Sequence, residues 1–198
     1  MAMAQPTVPK LLIIGAGGHG RSVAEAATLQ QHYRVLGFLD NGCEPGIKVL
    51  GWPVLGTVAD LPLIANQAEA VIVAVGNNAV RERLVHQVLA LGLPLATVVH
   101  PFSAVSPSAT LAPGCAVMAG AVVGTEASLG LGSIVNAGAV VDHHAVVEDF
   151  GHLGVGAVMA GGTRLGRGAW LQAGCAVGYG VVIAAGHVAA PCTAFGQQ

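Results

Sequence analysis

A six-residue repeat runs through the second half of the chain and limits its possible folds more than any other feature. From Val105 to Ile183 a large apolar residue returns at every sixth position without a change of phase. The fourth residue after it is small at every repeat as far as Cys175. This period matches neither the turn of an α-helix nor the alternation of a hairpin sheet. It predicts a parallel β-helix built from hexapeptide units.

In such a β-helix each hexad forms a short strand and a corner, and three hexads close one triangular coil. The large residues fill the interior, and the small residues let the chain turn beside them. The predicted interior positions are Val105, Leu111, Val117, Val123, Leu129, Val135, Val141, Val147, Leu153, Met159, Leu165, Leu171, Val177 and Ile183. Residues 105–188 then give about four and two-thirds coils, stacked at about 4.8 Å into a prism roughly 22 Å tall.

The first half of the chain has a different character, since residues 1–98 carry twelve of the eighteen charged side chains. Its apolar runs "KLLIIGAG", "YRVLGFLD", "AVIVAVGN" and "PLATVVH" are typical of strands. The segments "GRSVAEAATLQQ" and "AVRERLVHQVLALG" between them are typical of helices. Alternating strands and helices predict a small parallel α/β unit. We therefore expect two domains, residues 1–98 and residues 99–198.

Composition excludes several classes of function. Charged residues make up only 9% of the chain, the net charge is −2, and eight Lys and Arg residues form no basic stripe, so no nucleic-acid partner is expected. The start "MAMAQPTVPK" lacks the regions of a signal peptide. Residues 168–198 are uncharged, but Gly and Pro interrupt them too often for a membrane span. Four scattered cysteines without a CxxC pair are typical of reduced thiols, so we expect a cytoplasmic protein.

A glycine-rich loop follows the first predicted strand. In "LLIIGAGGHGRSVAE", Gly15, Gly17 and Gly20 have the G-x-G-x-x-G spacing, and Asp40 comes twenty residues after Gly20. Such a turn brings a phosphate close to the backbone N–H groups at a helix N-terminus. Because the unit is half of a full dinucleotide fold, a nucleotide-binding half-fold fits better than an NAD domain. A tight turn without any ligand remains the alternative.

The order of these motifs resembles a known family. Hexads of the form V-x-x-x-A-x are similar to the left-handed β-helix of the hexapeptide acyltransferases. The succession "GAGGHGRSV", "GFLDN", "AVIVAVGNNAVRERL" and hexads resembles the bacterial nucleotide-aminosugar N-acetyltransferases and the related sialic acid O-acetyltransferases, over nearly the whole chain. The resemblance implies a left-handed coil, a homotrimer and acetyl-CoA bound in the groove between adjacent prisms.

The resemblance also implies where the substrates bind. The N-terminal half-fold would hold the nucleotide of the sugar, through Gly15, Gly17, Gly18, His19, Gly20, Asp40, Asn41, Gly76 and Asn77. On the β-helix the implied cofactor contacts are His152, Asn136, Gly161 and Arg164. Arg164 and Arg167 are the only cationic side chains after residue 98, so the contacts of the CoA phosphates stay open.

Three histidines lie close together in "VVDHHAVVEDFGHLGVGAV". The hexad phase places His143 and His144 at a corner and His152 outside the core, whereas His187 takes a small inward position. Hexapeptide-repeat γ-type carbonic anhydrases bind zinc through histidines, but such a site needs three convergent ligands. Neighbours on a strand or corner point in different directions, and the gap to His152 does not resemble that family's wider spacing. No metal is therefore predicted.

General-base catalysis fits the cluster better, because a neutral amine must lose a proton as it attacks a thioester. The resemblance makes His143 the base, since Asn136, Gly138, Ala139 and Val141 stand in register with the family's N-x-G-A-x-V-x-H pattern. One departure is that His144 stands where the family commonly has an acidic residue. The predicted catalytic group is therefore His143 with Asp142 and His144, while Glu148 or Asp149 could supply the carboxylate instead.

The predicted function is acetyl-CoA-dependent N-acetylation of a nucleotide-linked amino sugar, such as a 4-amino-4,6-dideoxyhexose, in bacterial glycan or surface-polysaccharide synthesis. Two alternatives stay open. One is O-acetylation of a sugar such as sialic acid, which needs the same base. The other is a non-catalytic trimer that binds nucleotide sugars.

Overall fold

A computed structural model of the chain describes residues 8–196. Most of the segment on which the expectation of no signal peptide rests lies outside the described residues. The described chain forms an N-terminal α/β unit followed by a parallel β-helix, which confirms the predicted fold class. Within residues 8–196 no helix has both the length and the apolar character needed to cross a bilayer.

The N-terminal unit is a five-stranded sheet with the order β3-β4-β2-β1-β5. Strands β1, β2, β4 and β5 run parallel, and β3 pairs antiparallel with β4. Two 3-10 turns, Val58–Asp60 and Ala65–Gln67, flank α2. The elements are β1 (Lys10–Ile14), α1 (Gly18–Gln30), β2 (Arg34–Leu39), β3 (Lys48–Val49), β4 (Trp52–Gly56), α2 (Leu61–Ile64), β5 (Ala70–Val73) and α3 (Asn78–Ala90).

The sheet differs from the predicted one at three strands. Strand β3 was not expected because it has only two residues, and β4 was not expected because Pro53 and Gly56 leave only a short apolar run. The run "PLATVVH", expected to be a strand of this sheet, contributes a single bridge between Leu95 and Val71. Its last residues, Val98–Val99, form β6 and pair with β9 of the β-helix, because the chain is already turning into the first coil there.

The β-helix has three sheets of two-residue strands, one on each face. The domain face, which packs against the N-terminal unit, contains β6 (Val98–Val99), β9 (Ala116–Val117), β12 (Ile134–Val135), β15 (His152–Leu153), β18 (Trp170–Leu171) and β21 (Val188–Ala189). The apolar face contains β7 (Ala104–Val105), β10 (Val122–Val123), β13 (Val140–Val141), β16 (Val158–Met159), β19 (Ala176–Val177) and β22 (Ala194–Phe195). The mixed face contains β8 (Thr110–Leu111), β11 (Ser128–Leu129), β14 (Val146–Val147), β17 (Arg164–Leu165) and β20 (Val182–Ile183).

The interior is filled as the hexads predict. The second residue of each strand and the small residue before the next strand form one continuous apolar cluster. From Val117 to Ile183 every predicted large residue is buried, whereas Val105 and Leu111 in the first coil are partly exposed. Strands β6, β21 and β22 extend the stack beyond the predicted repeats.

One residue of each corner adopts a left-handed backbone conformation. This position recurs every six residues from Gly114 to Cys192, and ten of its fourteen occupants are glycine. Glycine suits it because a Cβ is strained at positive φ. The four exceptions have φ between 57° and 59° and are Glu126, His144, Phe150 and Cys192.

Arg81 joins the two parts of the molecule. This α3 side chain is only 1% exposed. Its Nε donates to the Gly132 carbonyl at 2.7 Å, and its guanidinium also donates to the carbonyls of Val75 (2.9 Å) and Phe150 (2.8 Å). Burial lowers the pKa of Arg81 to about 10, so it remains charged at neutral pH. A buried cation is thus satisfied by carbonyl oxygens from both domains.

Candidate functional site

The glycine loop is built as a tight β–α turn. Gly15 has φ 108°, and its N–H donates to the Leu39 carbonyl at 2.8 Å. A Cβ at Gly20 would collide with the Gly15 carbonyl, so the first turn of α1 packs directly on the loop. Gly17 and Gly18 face open space instead, and α1 begins at Gly18. The loop therefore leaves backbone N–H groups accessible at a helix N-terminus.

Asp40 and Asn41 tie the neighbouring loops to this turn. The Asp40 carboxylate accepts the N–H of Ala16 and the N–H of Gly42, each at 2.7 Å. Asn41 Oδ1 accepts the Val58 N–H at 2.9 Å. Both predicted nucleotide-binding side chains thus hold together the loops that follow β1, β2 and β4.

A cavity of about 670 Å³ opens where these loops meet. It lies at the carboxyl ends of the parallel strands, where ligands bind in open α/β sheets. Gly15, Asp40 and Asn41 line it, and Arg83 from α3 is a cation in its wall that sequence reasoning missed. The sequence predicts that Arg83 lies on a helix, but it does not tell which side of that helix faces the cavity.

Gly76 and Asn77 lie at the start of α3 and belong to the junction of the two domains. Asn77 caps α3, since its Oδ1 accepts the Val80 N–H at 3.0 Å. The Gly76 carbonyl lies 3.2 Å from His152 Nδ1. The loop after β5 is therefore in direct contact with the histidine segment of the β-helix.

His152 lies outside the prism interior, as predicted, but it is not exposed. The first residue of a strand points outward, and on the domain face the N-terminal unit covers it, so His152 is only 6% exposed. Its ring stacks on Trp170 with centroids 5.0 Å apart. Burial, with a smaller effect of the Arg81 charge, lowers the pKa of His152 to about 3. This imidazole is neutral at physiological pH.

His19 lies near this junction and has a similar electrostatic environment. Burial, reinforced by the Arg81 charge, lowers the pKa of His19 to about 4. Within residues 8–196, the buried side-chain nitrogen and oxygen atoms without a hydrogen-bond partner are His19 Nε2 and Trp170 Nε1. Unpaired buried polar atoms are rare in proteins, and both of these lie at the junction of the two domains.

His143 stands on the corner between the apolar and mixed faces. Gly161 and Tyr179 occupy the same position in the next two coils, eighteen residues apart each time. The imidazole lies over Gly161, where any Cβ would collide with the ring. Gly161, which was predicted as a cofactor contact, therefore leaves the space that the His143 ring occupies.

A carboxylate reaches His143 through His144. The two Nδ1 atoms of His143 and His144 lie 3.0 Å apart, and His144 Nε2 lies 2.9 Å from Glu126 Oε2. Sequence reasoning missed Glu126. The available signal was its spacing, because Glu126 precedes His144 by eighteen residues, one coil, in the same left-handed corner position.

The carboxylates considered from the sequence make other contacts. Asp142 Oδ1 accepts the His143 backbone N–H at 2.7 Å, while its Oδ2 lies 3.9 Å from His143 Nε2. Glu148 pairs with Arg164 at 2.7 Å, a hydrogen bond that lowers the pKa of Glu148. Asp149 pairs with Arg167 at 2.8 Å. Within this chain, neither Glu148 nor Asp149 supports His143, and Arg164 is already paired.

One chain does not bring all the predicted cofactor contacts together. Asn136 lies on the corner between the domain and apolar faces, where its Oδ1 accepts the Ala137 N–H at 2.8 Å and it lines a cavity of about 540 Å³ beside α1. His143 occupies the opposite edge of the apolar face, and His152 lies under the N-terminal unit.

The interior position expected for His187 is wrong. The residue is exposed, with its ring 5.6 Å from Phe195, because an imidazole is larger than the small residues at equivalent positions and the last coil is incomplete. In the described part of the chain, no three His, Cys, Asp or Glu residues converge in a way that could hold a metal ion.

Comparison with known proteins gives a consistent result. The family described as the PglD N-terminal domain matches residues 10–88. The acetyltransferase domain of PglB from Neisseria gonorrhoeae FA1090, in complex with acetyl coenzyme A, is 35% identical over 96% of this chain and 93% of that chain, with a TM-score of 0.88. Comparison with curated protein sequences gives no match.

PerB from Caulobacter crescentus, in complex with CoA and GDP-perosamine, is 34% identical over 98% of this chain and 94% of that chain, with a TM-score of 0.83. A histidine-to-alanine variant of GDP-perosamine N-acetyltransferase from Caulobacter crescentus, with the same two ligands, is 33% identical over 97% and 93%, with a TM-score of 0.84.

The stacked coils define a hexapeptide-repeat protein, and the likeness to acetyltransferase structures makes its class that of the hexapeptide-repeat acyltransferases. Together with the N-terminal family match, the likeness to these structures over nearly the whole of both chains narrows the class. The chain belongs to the bacterial nucleotide-aminosugar N-acetyltransferases. The family expected from the sequence is confirmed.

Proposed function

We propose that this protein transfers the acetyl group of acetyl-CoA to the amino group of a nucleotide-linked amino sugar, such as a 4-amino-4,6-dideoxyhexose. The observation that carries the proposal is the exposed His143 imidazole at the prism corner, with Nδ1 facing His144 and the ring held over Gly161. The likeness to structures that contain CoA and GDP-perosamine supports the same pair of substrates.

His143 acts as the general base in a direct transfer. Its Nε2 accepts a proton from the sugar amine as the amine nitrogen bonds to the thioester carbon. The tetrahedral intermediate then collapses, the C–S bond breaks, and the CoA thiolate takes up the proton. No protein nucleophile is needed because the thioester is already activated.

The sugar nucleotide occupies the cavity at the carboxyl ends of β1 and β2. The Gly15–Gly20 loop offers backbone N–H groups to the phosphates, and Arg83 supplies a positive charge in the same wall. His19 and Asn77 do not line this cavity but lie closer to the β-helix, near His152, where the sugar would reach them. Because the pKa of His19 is lowered to about 4, this side chain contacts the substrate as a neutral hydrogen-bonding group.

Acetyl-CoA binds between chains of a homotrimer. The outward side chains of the apolar face carry no polar group, and they are Ala104, Val122, Val140, Val158, Ala176 and Ala194. Packing this face against a neighbour places the His143 corner of one chain beside the Asn136 corner and His152 region of another. Sedimentation should report a trimer, and Val158→Lys should dissociate it.

The four free cysteines are consistent with a reducing compartment, and we place the enzyme in the cytoplasm. No nucleic-acid partner is part of the proposal. Asn136, His152 and Gly161 border the acetyl end of the groove. Arg164 would have to exchange its ion pair with Glu148 for the cofactor in order to contact it.

The decisive experiment measures thiol release from acetyl-CoA with a panel of amino-sugar nucleotides. We expect His143→Asn to lower kcat by about 10²- to 10⁴-fold on the best acceptor, the range for removing a general base. His32→Asn, a change at an exposed histidine of the N-terminal unit, should leave the rate unchanged. A His143→Asn enzyme that keeps the wild-type rate would overturn the role of the base.

The same panel separates the alternatives. Turnover only with hydroxyl acceptors would identify a sugar O-acetyltransferase. Calorimetry that shows binding of a sugar nucleotide but no binding of acetyl-CoA would identify a non-catalytic binding protein.

A further inference from the structure

Three of the four non-glycine corner residues, Glu126, His144 and Cys192, are exposed, so packing gives no reason for a side chain there. Phe150 has such a reason, because its ring is fully buried and carries the Arg167 guanidinium 5.1 Å from its centroid. The side chains of Glu126 and His144 are instead 61% and 60% exposed. Strained backbone residues cluster at functional sites, and Glu126 and His144, unlike Cys192, lie beside the proposed base.

Glu126 contacts His144, and His144 contacts His143. Glu126 Oε2 lies 2.9 Å from His144 Nε2, and His144 Nδ1 lies 3.0 Å from His143 Nδ1. A carboxylate only accepts hydrogen bonds, so His144 carries its proton on Nε2 and leaves Nδ1 as an acceptor. His143 must then carry its proton on Nδ1. Its Nε2 lone pair is left free.

We propose that Glu126 and His144 are positioning residues that fix the tautomer and orientation of the catalytic base, forming with His143 a corner triad. This inference rests on the proposed function, in which His143 Nε2 takes the proton of the amine. The triad supplies through His144 the carboxylate that this chain lacks directly after its base. As His143 becomes cationic, the Glu126 carboxylate stabilises the charge through the two hydrogen bonds.

The remaining groups around His143 do not replace the triad. Asp142 faces the Nε2 side at 3.9 Å, beyond hydrogen-bond distance, and its other oxygen holds the backbone. The Tyr179 ring lies 6.3 Å from the His143 ring. His144 Nδ1 lies 3.0 Å from His143 Nδ1, so the tautomer depends on His144 and on Glu126.

The corner position itself offers a clean test, because glycine is its usual occupant. Glu126→Gly and His144→Gly remove the side chains without straining the backbone. We expect kcat to fall about 10- to 100-fold in each, as when a supporting shell is removed, with KM for both substrates within about twofold of wild type. Cys192→Gly makes the same backbone change in the last coil and should leave both constants unchanged.

A rescue variant separates positioning from general disruption. Adding His144→Glu to Glu126→Gly places a carboxylate directly beside His143 Nδ1. We expect this double variant to recover most of the kcat lost in Glu126→Gly. If Glu126→Gly keeps the wild-type kcat, or if its loss is equalled by Cys192→Gly, the triad is overturned.

A spectroscopic measurement tests the triad independently of turnover. In ¹⁵N-histidine-labelled protein, the His143 signals are those lost in His143→Asn. They should report the Nδ1–H tautomer in wild type and a shift toward Nε2–H in Glu126→Gly. An unchanged tautomer overturns the triad while leaving the proposed base in place. An active His143→Asn enzyme instead overturns the base, and the spectra still decide whether the triad sets the tautomer.

Discussion

Two histidines nine residues apart, His143 and His152, occupy opposite environments in the same β-helix. His152 is enclosed between the prism and the N-terminal unit, stacked on Trp170. His143 stands on an open corner with about half of its side chain exposed. The two histidines belong to one sequence segment, but different interactions determine whether each imidazole can take up a proton.

At the domain junction, desolvation dominates. The cost of burying a charge, added to the nearby Arg81 cation, holds the pKa of His152 near 3 and that of His19 near 4. Neither can act as a base that must become cationic at neutral pH. At the corner, solvent and a carboxylate permit the cation. The junction can therefore bind and orient, while the corner can exchange protons.

The strongest way to break this comparison is to remove the cation of the junction. Arg81→Met leaves the carbonyls of Gly132, Val75 and Phe150 buried without donors, so we expect a loss of about 3–5 kcal/mol in the free energy of unfolding. Urea titration at fixed protein concentration measures it. Arg83→Met, on the exposed side of the same helix, should stay within about 0.5 kcal/mol of wild type. Equal losses in both variants would contradict the assigned role of Arg81.

Acid should destabilise the junction. Unfolded histidines bind protons near the ordinary pKa of 6.5, but folded His152 and His19 remain neutral down to about 3 and about 4. The contribution of each histidine to the free energy of unfolding is therefore fully present above the unfolded pKa. It is lost as the pH falls below that pKa, by roughly 1.4 kcal/mol per pH unit for each histidine.

His152→Phe isolates this effect, because it keeps the stack on Trp170 and removes one titrating group. Denaturant unfolding at a series of pH values below 6.5 should show a slope shallower by roughly 1.4 kcal/mol per pH unit. Parallel curves for the variant and wild type would show that His152 is not held neutral by burial.

At the corner, Gly161→Ala should act on His143 alone. A Cβ there collides with the imidazole, and Gly161 has no left-handed φ, so the ring rather than the backbone must move. We expect kcat to fall about tenfold to a hundredfold, because a base displaced by about 1 Å is poorly aligned, with little change in melting temperature. Gly196→Ala, where a Cβ meets no atom within 4 Å, is the control. Unimpaired turnover in Gly161→Ala would mean that this ring position is not the reactive one.

The smallest expected effect concerns the corner backbone. Cys192→Gly relieves a left-handed residue that makes no ion pair, and should raise the free energy of unfolding by about 1 kcal/mol or less. Thermal unfolding measures it. A destabilised Cys192→Gly would show that the corners do not strain their non-glycine occupants.

The β-helix could be predicted from the sequence because its packing rule is local. Each hexad has a large apolar residue at the same position, so the inward orientation of Val117 or Leu171 can be predicted from its own hexad alone. The rule weakens at the two ends of the stack, where Val105 and Leu111 are partly exposed and His187 lies outside. Strand β4 could not be predicted because Pro53 and Gly56 interrupt its short apolar run.

The site was less accessible to sequence reasoning, because it depends on contacts between coils and between domains. The exposure of His143 followed from its phase, but its support did not: the candidate carboxylates were near in sequence, whereas Glu126 is near in space. The burial of His152 depends on which face of the β-helix the N-terminal unit covers, and the hexad pattern is the same on all three faces. The roles of His143, His152 and the nucleotide loop remain predictions.

Residues eighteen apart stack directly on each other, as Val122 and Val140 do. The length of an insertion therefore decides on which face of the β-helix every later residue lies. An insertion or deletion of eighteen residues adds or removes one coil and returns every downstream side chain to its face. A change of six keeps the interior pattern intact yet rotates everything after it by one face. An insertion of six residues before Glu126 would keep the prism interior filled, but it would carry the corner triad away from its place beside the apolar face and turn Ile134 and Phe150 away from the N-terminal unit that buries them. Such a protein could fold and still be inactive, so length variation in this chain is expected in whole coils.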